Sequence, residues 1–382
     1  MTIFDITSEE RDLANAVEKV CSEILAPRAA STDENEEIPR EQVAYLSDMG
    51  VLGLSLPEQF GGVGISSLGM SEVVAAIAGA CTSTASIVTA HYLAVDSILI
   101  GGDDEQCNRL LPAMAEGSAI GAFGLTEPGA GSNPAEMTTR AVRIDDGWHL
   151  TGTKHFISNA GFADVIVVFA ITDPDAGHRG ISAFVVEPAK VTGVTVGAEE
   201  KTMGLRGSPV YEITFDCHLP AEAQLGADGT GFKTAMQVLD RGRIEVAAMS
   251  LGVSRVALEE SIDWAVSRKV GGEPISHFQG IAFKLADMHA RYRSALLVTA
   301  EAAHSRDTGE DFTIRSATAK LVASEAAGFI TDEAIQIHGG YGFTRSLALE
   351  RYARDVRIFR IYEGSSEIQR TIISRALTRP RR

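Results

Sequence analysis

The apolar and polar positions of the chain change rhythm twice. In the first stretch, Thr7-x-x-Glu10 forms a capping-box pattern, and Leu13, Val17, Val20 and Ile24 follow at helical spacing. Helical texture continues over 41–54 and 72–98, separated by Leu56-Pro57-Glu58-Gln59-Phe60-Gly61-Gly62, whose proline and glycines mark a loop. From about residue 119 the period shortens. Ala141–Ile144 and Trp148–Thr151 flank Asp145-Asp146-Gly147, a hairpin signal, and 165–169, 182–186 and 211–215 are rich in β-branched and aromatic residues. After Gly229 long helical patterns return over 231–268, 276–305, 312–337 and 364–377.

These rhythms predict an α+β chain in three units. They are an N-terminal helical domain over 1–118, a middle antiparallel β domain over 119–228, and a C-terminal four-helix bundle over 229–382. Residues 73–95 carry no Asp, Glu, Lys or Arg and are long enough to span a bilayer. Their centre, Cys81-Thr82-Ser83-Thr84-Ala85-Ser86, is a polar hinge suited to ending one helix and capping another, so two buried helices are expected and no membrane span.

Charge narrows the partners. The sequence has 34 basic and 51 acidic residues, a formal net charge of −17, which argues against nucleic acid or an anionic membrane as main partner. An anionic small molecule needs only a few local cations and stays possible. The four cysteines (Cys21, Cys81, Cys107, Cys217) form no CxxC pair, and no His or Cys pair has metal-ligand spacing. No metal is therefore expected, and a reducing, cytoplasmic setting is. The first residues turn charged at once, without the apolar core of a secretory signal. No GxGxxG after a strand, GxxxxGK[ST], HExxH or GxSxG is present, which removes the fingerprints of Rossmann, P-loop, zinc-protease and hydrolase sites.

Five segments carry candidate chemistry. In the run from Ala122 to Asn133, Gly129 and Gly131 let backbone N–H groups approach a ligand, and Thr126 and Ser132 add hydroxyls; a plain Gly/Pro turn would read the same way. In Gly152–Gly161, Phe156 and Ser158 share a side if the segment is extended, so an aromatic could stack on a flat cofactor beside a hydroxyl. Asp240 and Arg243 are i and i+3 on a bundle helix; most such pairs are solvated. Gln336-Ile337-His338-Gly339-Gly340 ends a helix in glycines, as a phosphate or sugar contact or as a simple C-cap. Glu363 sits between Tyr362 and Gly364, just before a Ser-capped helix; a desolvated carboxylate there would have the raised pKa of a general base.

Taken together, TEPGAGSN at 126–133, the GxKxxI[ST]N-like run at 152–159, MGLRGS at 203–208, QIHGGYGF at 336–343 and IYEGSSEIQR at 361–370 resemble the acyl-CoA dehydrogenase family along essentially the whole chain. The resemblance implies the family's α–β–α fold and bound FAD. It places Phe123, Leu125, Thr126, Gly131, Ser132, Phe156, Ile157 and Ser158 around the flavin. Arg268 and Gln279 match residues that reach the FAD pyrophosphate from a neighbouring subunit; Gln336, Gly339 and Gly340 match the adenosine side; Ser365 and Glu367 match further FAD contacts. Ser132, Asp240, Arg243, Tyr362 and Gly364 match the acyl-CoA site, and Glu363 the catalytic base.

Some relatives carry the base immediately before the residue matching Arg243. Here that position is Gly242, which cannot take a proton, so the resemblance assigns the base to Glu363. It further implies α,β-dehydrogenation of an acyl-CoA to the trans-2-enoyl-CoA, with the β-hydride going to flavin N5, an electron-transfer flavoprotein as acceptor, and a homotetramer. Sibling readings are an oxygen-using flavin oxidase or a desulfinase; outside the class stand a non-catalytic flavin- or CoA-binding scaffold and an all-helical adaptor without cofactor. Phe156 replaces a frequent tryptophan, Gly271 stands where an aromatic usually follows the Arg268 motif, and Asn133 replaces a common aspartate.

Overall fold

Residues 6–378 are described by the computed structural model, so the outermost parts of the N- and C-terminal units, 1–5 and 379–382, lie outside the described residues. Helix α1 (Ser8–Val20) starts at the expected capping box: Glu10 N donates to Thr7 Oγ1 (3.2 Å) while Thr7 N donates to Glu10 Oε2 (2.8 Å). A π-helical turn leads into α2 (Ala26–Asn35), and α3 (Arg40–Asp48) stops earlier than the 41–54 pattern predicts, because Gly50 takes a left-handed turn at φ 74°. Helices α4 (Ser67–Ala80) and α5 (Thr82–Gly101) meet at Cys81, whose extended backbone breaks the apolar run as expected. The capping role expected of its hydroxyls is absent: no side chain caps α5, and Thr82 Oγ1 donates backward to Ala78 O (3.2 Å). Helix α5 is long and apolar enough to cross a membrane, yet 78% of its apolar window is buried within the protein. Helix α6 (Asp104–Glu116) completes the N-terminal layer.

The middle unit is one sheet, in the order β6 (Val194–Glu199), β7 (Val210–Pro220), β3 (Gly147–Ser158), β2 (Arg140–Ile144), β4 (Val165–Ile171), β5 (Ile181–Val186), β8 (Gln224–Leu225), with β1 (Gly121–Gly124) paired to β4. The predicted β2–β3 hairpin is present, with Ile144 opposite Gly147. The ladders are antiparallel except for two at β4, which runs antiparallel to β5 but parallel to β1 over four residue pairs and to β2 at one. Long connections separate these partners in sequence, which is what a parallel pair requires. Strand β4 explains the layering: Val165, Val167 and Phe169 pack with α5 and α6 residues, and Ile166, Val168 and Ala170 face the rest of the sheet. A strand buried on both faces reads as a continuous apolar run.

The bundle is built on α7 (Gly231–Ser267), about 55 Å long at 1.5 Å per residue. It is joined by α8 (Gln279–Asp307), α9 (Thr313–His338) and, after the short α10 (Gly340–Phe343) and α11 (Leu349–Asp355), by α12 (Ser366–Leu377). Helix α4 packs along α7 as well, at a crossing so close that a Cβ on Gly252 would fall 2.0 Å from Ala75 O. A small hairpin of β9 (Lys269–Val270) and β10 (Glu273–Pro274), unforeseen from the pattern, follows α7. Its turn needs positive φ at both centre positions, which Gly271 (62°) and Gly272 (91°) supply. That backbone demand accounts for glycine at 271.

Candidate active site at the sheet–bundle junction

Glu363 lies in the turn between a 3-10 segment (Val356–Arg360) and α12. Its backbone is left-handed at φ 53°, followed by Gly364 at φ 84°, a conformation that costs a non-glycine residue about 1–3 kcal/mol unless its surroundings hold it. Here they do. Gln369 Nε2 donates to Glu363 O (3.1 Å) and Gly364 O (2.8 Å), and Lys320 Nζ, from α9, donates to Gly364 O (2.6 Å). The expected serine cap is present, with Ile368 N donating to Ser365 Oγ (3.4 Å).

The strained turn aims the carboxylate at α7. A Cβ at Gly242 would stand 3.1 Å from Glu363 Oε2 and 2.8 Å from Leu93 Cδ2. Glu363 is partly exposed as a residue, but Oε2 is sealed from solvent and has no hydrogen-bond partner. Burial pushes its pKa up to about 7, against the pull of Arg243 and Lys320 toward ionisation. Arg243 is itself buried and donates to Asp240, whose other oxygen accepts from Thr313 Oγ1 (2.7 Å), so this pair is not the solvated surface pair its spacing suggested. Tyr362 OH donates to Met249 Sδ (3.7 Å). The structure thus brings Glu363, Tyr362, Gly364, Asp240 and Arg243 around one stretch of α7.

A second cluster forms on the sheet. His155 N donates to Thr126 O (2.9 Å), tying the 126–133 loop to the end of β3. Lys154 Nζ donates to Leu125 O (3.1 Å) and Glu127 Oε1 (2.8 Å) beneath it. Asn159 Nδ2 donates to Ile87 O (3.0 Å) and Gly121 O (3.1 Å), fixing the same strand end to α5 and β1. The extended geometry on which a shared side for Phe156 and Ser158 depends is not met at Phe156: the β3–β7 register slips between Lys154 and Ile157, and Phe156 sits at φ 58°. The extra residue of this bulge turns the ring outward, 61% exposed, whereas Ile157 faces the core and Ser158 is half-buried. Phe123 is half-buried and Leu125 buried, and Ser132 stands on an open loop where a Cβ on Gly129 or Gly131 would meet nothing within 4 Å.

A third cluster lies far off. Arg268, Gly339 and Gly340 line a groove of about 710 Å³ with Trp264, Phe278 and Tyr341. Gln279 and Gln336 are exposed nearby in sequence without lining it, and Glu367 is exposed on α12. The end of α7 at Ser267 is about 37 Å from Gly242 along the helix.

Some residues that adjoin Glu363 were not singled out by the sequence pattern. Lys320 had a signal: it falls in register with Ser316, Ala317, Ala323, Ser324 and Ala327, all buried, where a lysine needs a partner. Leu93 and Gln369 had none. The MGLRGS run proves to be a clamp between domains. Leu205 N donates to Asp355 Oδ1 (2.7 Å), Arg206 pairs with Glu36, and Arg354 donates to Met203 O (3.1 Å) and to both Asp33 oxygens (2.8 and 2.7 Å). A Cβ on Gly204 would lie 2.4 Å from Arg354 backbone atoms, so glycine is required for that approach.

The exposed phenylalanine and the open glycine-bearing loop beside it fit a flat redox cofactor. Three family models match in chain order: acyl-CoA dehydrogenase N-terminal domain over 7–118, middle domain over 122–218 and C-terminal domain over 229–378. The mitochondrial short-chain specific acyl-CoA dehydrogenase of Mus musculus is 42% identical over 357 residues, 93% of this chain and 86% of that protein. The solved butyryl-CoA dehydrogenase from Megasphaera elsdenii superposes with a TM-score of 0.96 at 37% identity, covering 98% of this chain and 100% of that one. A chain solved in work on the electron transferring flavoprotein of Acidaminococcus fermentans gives 0.96 at 36% identity, covering 99% and 100%. The chain belongs to the acyl-CoA dehydrogenase family. It is therefore an oxidoreductase of a family whose cofactor is FAD.

Proposed function

We propose that this protein dehydrogenates an acyl-CoA between Cα and Cβ, with Glu363 as the base. One observation carries the reading: an otherwise unpartnered carboxylate oxygen, sealed from water, with its pKa lifted to about 7 and Gly242 of α7 beside it. A base poised near neutrality both ionises at working pH and holds the proton it takes. The left-handed turn fixes the direction of attack, and Gln369 and Lys320 keep that turn from relaxing.

FAD, when bound, supplies the acceptor for the β-hydride. Phe123, Leu125, Thr126, Gly131, Ser132, Phe156, Ile157 and Ser158 would hold its ring, with Ile157 offering backbone because its side chain is core. Ser365 and Glu367 would add contacts from α12. Ser132, Asp240, Arg243, Tyr362 and Gly364 would line the acyl-CoA path. Arg268, Gln279, Gln336, Gly339 and Gly340 stand too far along the bundle to serve the same dinucleotide within one subunit, which supports sharing across a homotetramer. An electron-transfer flavoprotein is the acceptor we favour. The four buried free cysteines accord with a reducing, cytoplasmic setting.

The test is anaerobic mixing of the yellow holoprotein with butyryl-CoA. Bleaching of the flavin is expected, followed by slow reoxidation in air. Glu363→Gln should keep the colour and lose about 10²–10⁴-fold in rate. A variant that turns over at wild-type speed refutes the assignment, and rapid reoxidation by oxygen would move the protein to the oxidases.

A further inference from the structure

A second buried glutamate shares this stretch of α7 and has no part in the reading above. Gly242, Glu245 and Met249 follow at i, i+3 and i+7, so they line one helix face. Gly242 faces Leu93 and the Glu363 carboxylate. Met249 Sδ accepts from Thr89 Oγ1 (3.6 Å) and from Tyr362 OH (3.7 Å). Glu245 therefore lies between the catalytic carboxylate and the Thr89–Tyr362 level, in the seam between α5 and α7. It is 3% exposed, and both of its carboxyl oxygens are buried without a hydrogen-bond partner.

Two of its neighbours are engaged elsewhere, and Arg306 acts on it through charge without a hydrogen bond to either oxygen. Arg241 donates to Asp96 (2.6 Å), and Tyr92 OH donates to Val51 O (2.5 Å). Burial first, then Asp96, holds the Glu245 carboxyl well above the usual range; Arg306 and Arg241 oppose and Glu363 adds to the rise. A buried group of this kind is costly unless something in the site completes it. A saturated hydrocarbon chain offers nothing to either oxygen, and a second carboxylate would meet three acids. A hydroxyl suits a protonated carboxyl, because each can donate and accept.

Resting on the dehydrogenase reading, we propose that Glu245 is a specificity residue for an acyl-CoA whose chain carries a hydrogen-bond donor beyond Cβ, a hydroxyl or an amine. One helical turn from Gly242 is about 5 Å, which places that donor near the end of a chain of about four to six carbons. The donor's position along the face, rather than any change at Glu363, sets the preference.

The test compares pentanoyl-, 5-hydroxypentanoyl- and 5-aminopentanoyl-CoA on the FAD-loaded enzyme, with Glu245→Leu and Glu245→Gln beside wild type. Wild type should favour the hydroxyl or the amine over the plain chain by about tenfold or more in kcat/KM. Glu245→Leu should invert that order, while Glu245→Gln keeps the hydroxyl preference. Preference for the amine over the hydroxyl would support the donor and identify it as a cation. Calorimetry with the matching non-reactive S-pentyl and S-(5-hydroxypentyl) thioethers of CoA should give the same ranking without turnover. Equal binding of the two thioethers by wild type overturns the inference, even if Glu245→Leu fails to fold. If no thioester bleaches the flavin, the dehydrogenase reading falls instead, and the thioether ranking still tests Glu245.

Discussion

Glu127 and Glu363 each hold a carboxyl oxygen away from water, and they end at opposite ends of the carboxylate range. Glu127 Oε2 accepts from Thr138 N (2.6 Å) and Thr138 Oγ1 (2.8 Å), and Oε1 from Thr139 N (3.0 Å) and Lys154 Nζ (2.8 Å). Burial works against its ionisation, but Lys154 and those donors outweigh it and hold the pKa at about 2. Glu363 Oε2 has no donor, and burial leaves it at about 7. Burial alone does not make a base. What separates a structural carboxylate from a reactive one is the supply of donors at its oxygens.

The sharpest way to break the comparison is to remove the donor side of Glu127. Lys154→Met should cost about 3–5 kcal/mol in urea unfolding, because an unpaired charge is left buried, and it should loosen flavin retention at the adjoining loop. Stability within 1 kcal/mol of wild type would mean the pair is not what holds Glu127 down. For Glu363 the sign runs the other way. In the role proposed for it the ionised form is the base, so kcat/KM should be low in acid and rise to a plateau with a midpoint near pH 7. Lys320 favours that ionised form, so Lys320→Met should move the midpoint upward by about one unit; a downward shift would contradict its placement. The smallest effect is expected from Gly242→Ala. Its methyl presses on the mobile end of Leu93 and on Oε2, and kcat/KM should fall severalfold, under about 1.4 kcal/mol, with little change in melting temperature.

Much of this was legible in the residues. The capping box at Thr7, the hairpin at 145–147 and the long helices α7 to α9 follow from local pattern, because each depends on neighbours within a few positions. The condition that Phe156 and Ser158 lie in an extended segment fails at Phe156, because a bulge depends on the partner strand's register, which no single segment carries. MGLRGS carries the family resemblance, but its service as a clamp was not legible, since Asp33, Arg354 and Asp355 are remote in sequence. The Asp240–Arg243 spacing was visible, but its burial under α9 was not.

By itself the sequence determined the order of helical, strand and helical units, the family pattern, and the candidacy of Glu363 over a glycine at 242. Tertiary structure alone decided which carboxylates are starved of donors: the left-handed turn that aims Glu363 at α7, the lysine from α9 that steadies it, and the isolation of Glu245. Protonation answers to the groups within a few ångströms of an oxygen, and those groups come from strands and helices that only folding brings together.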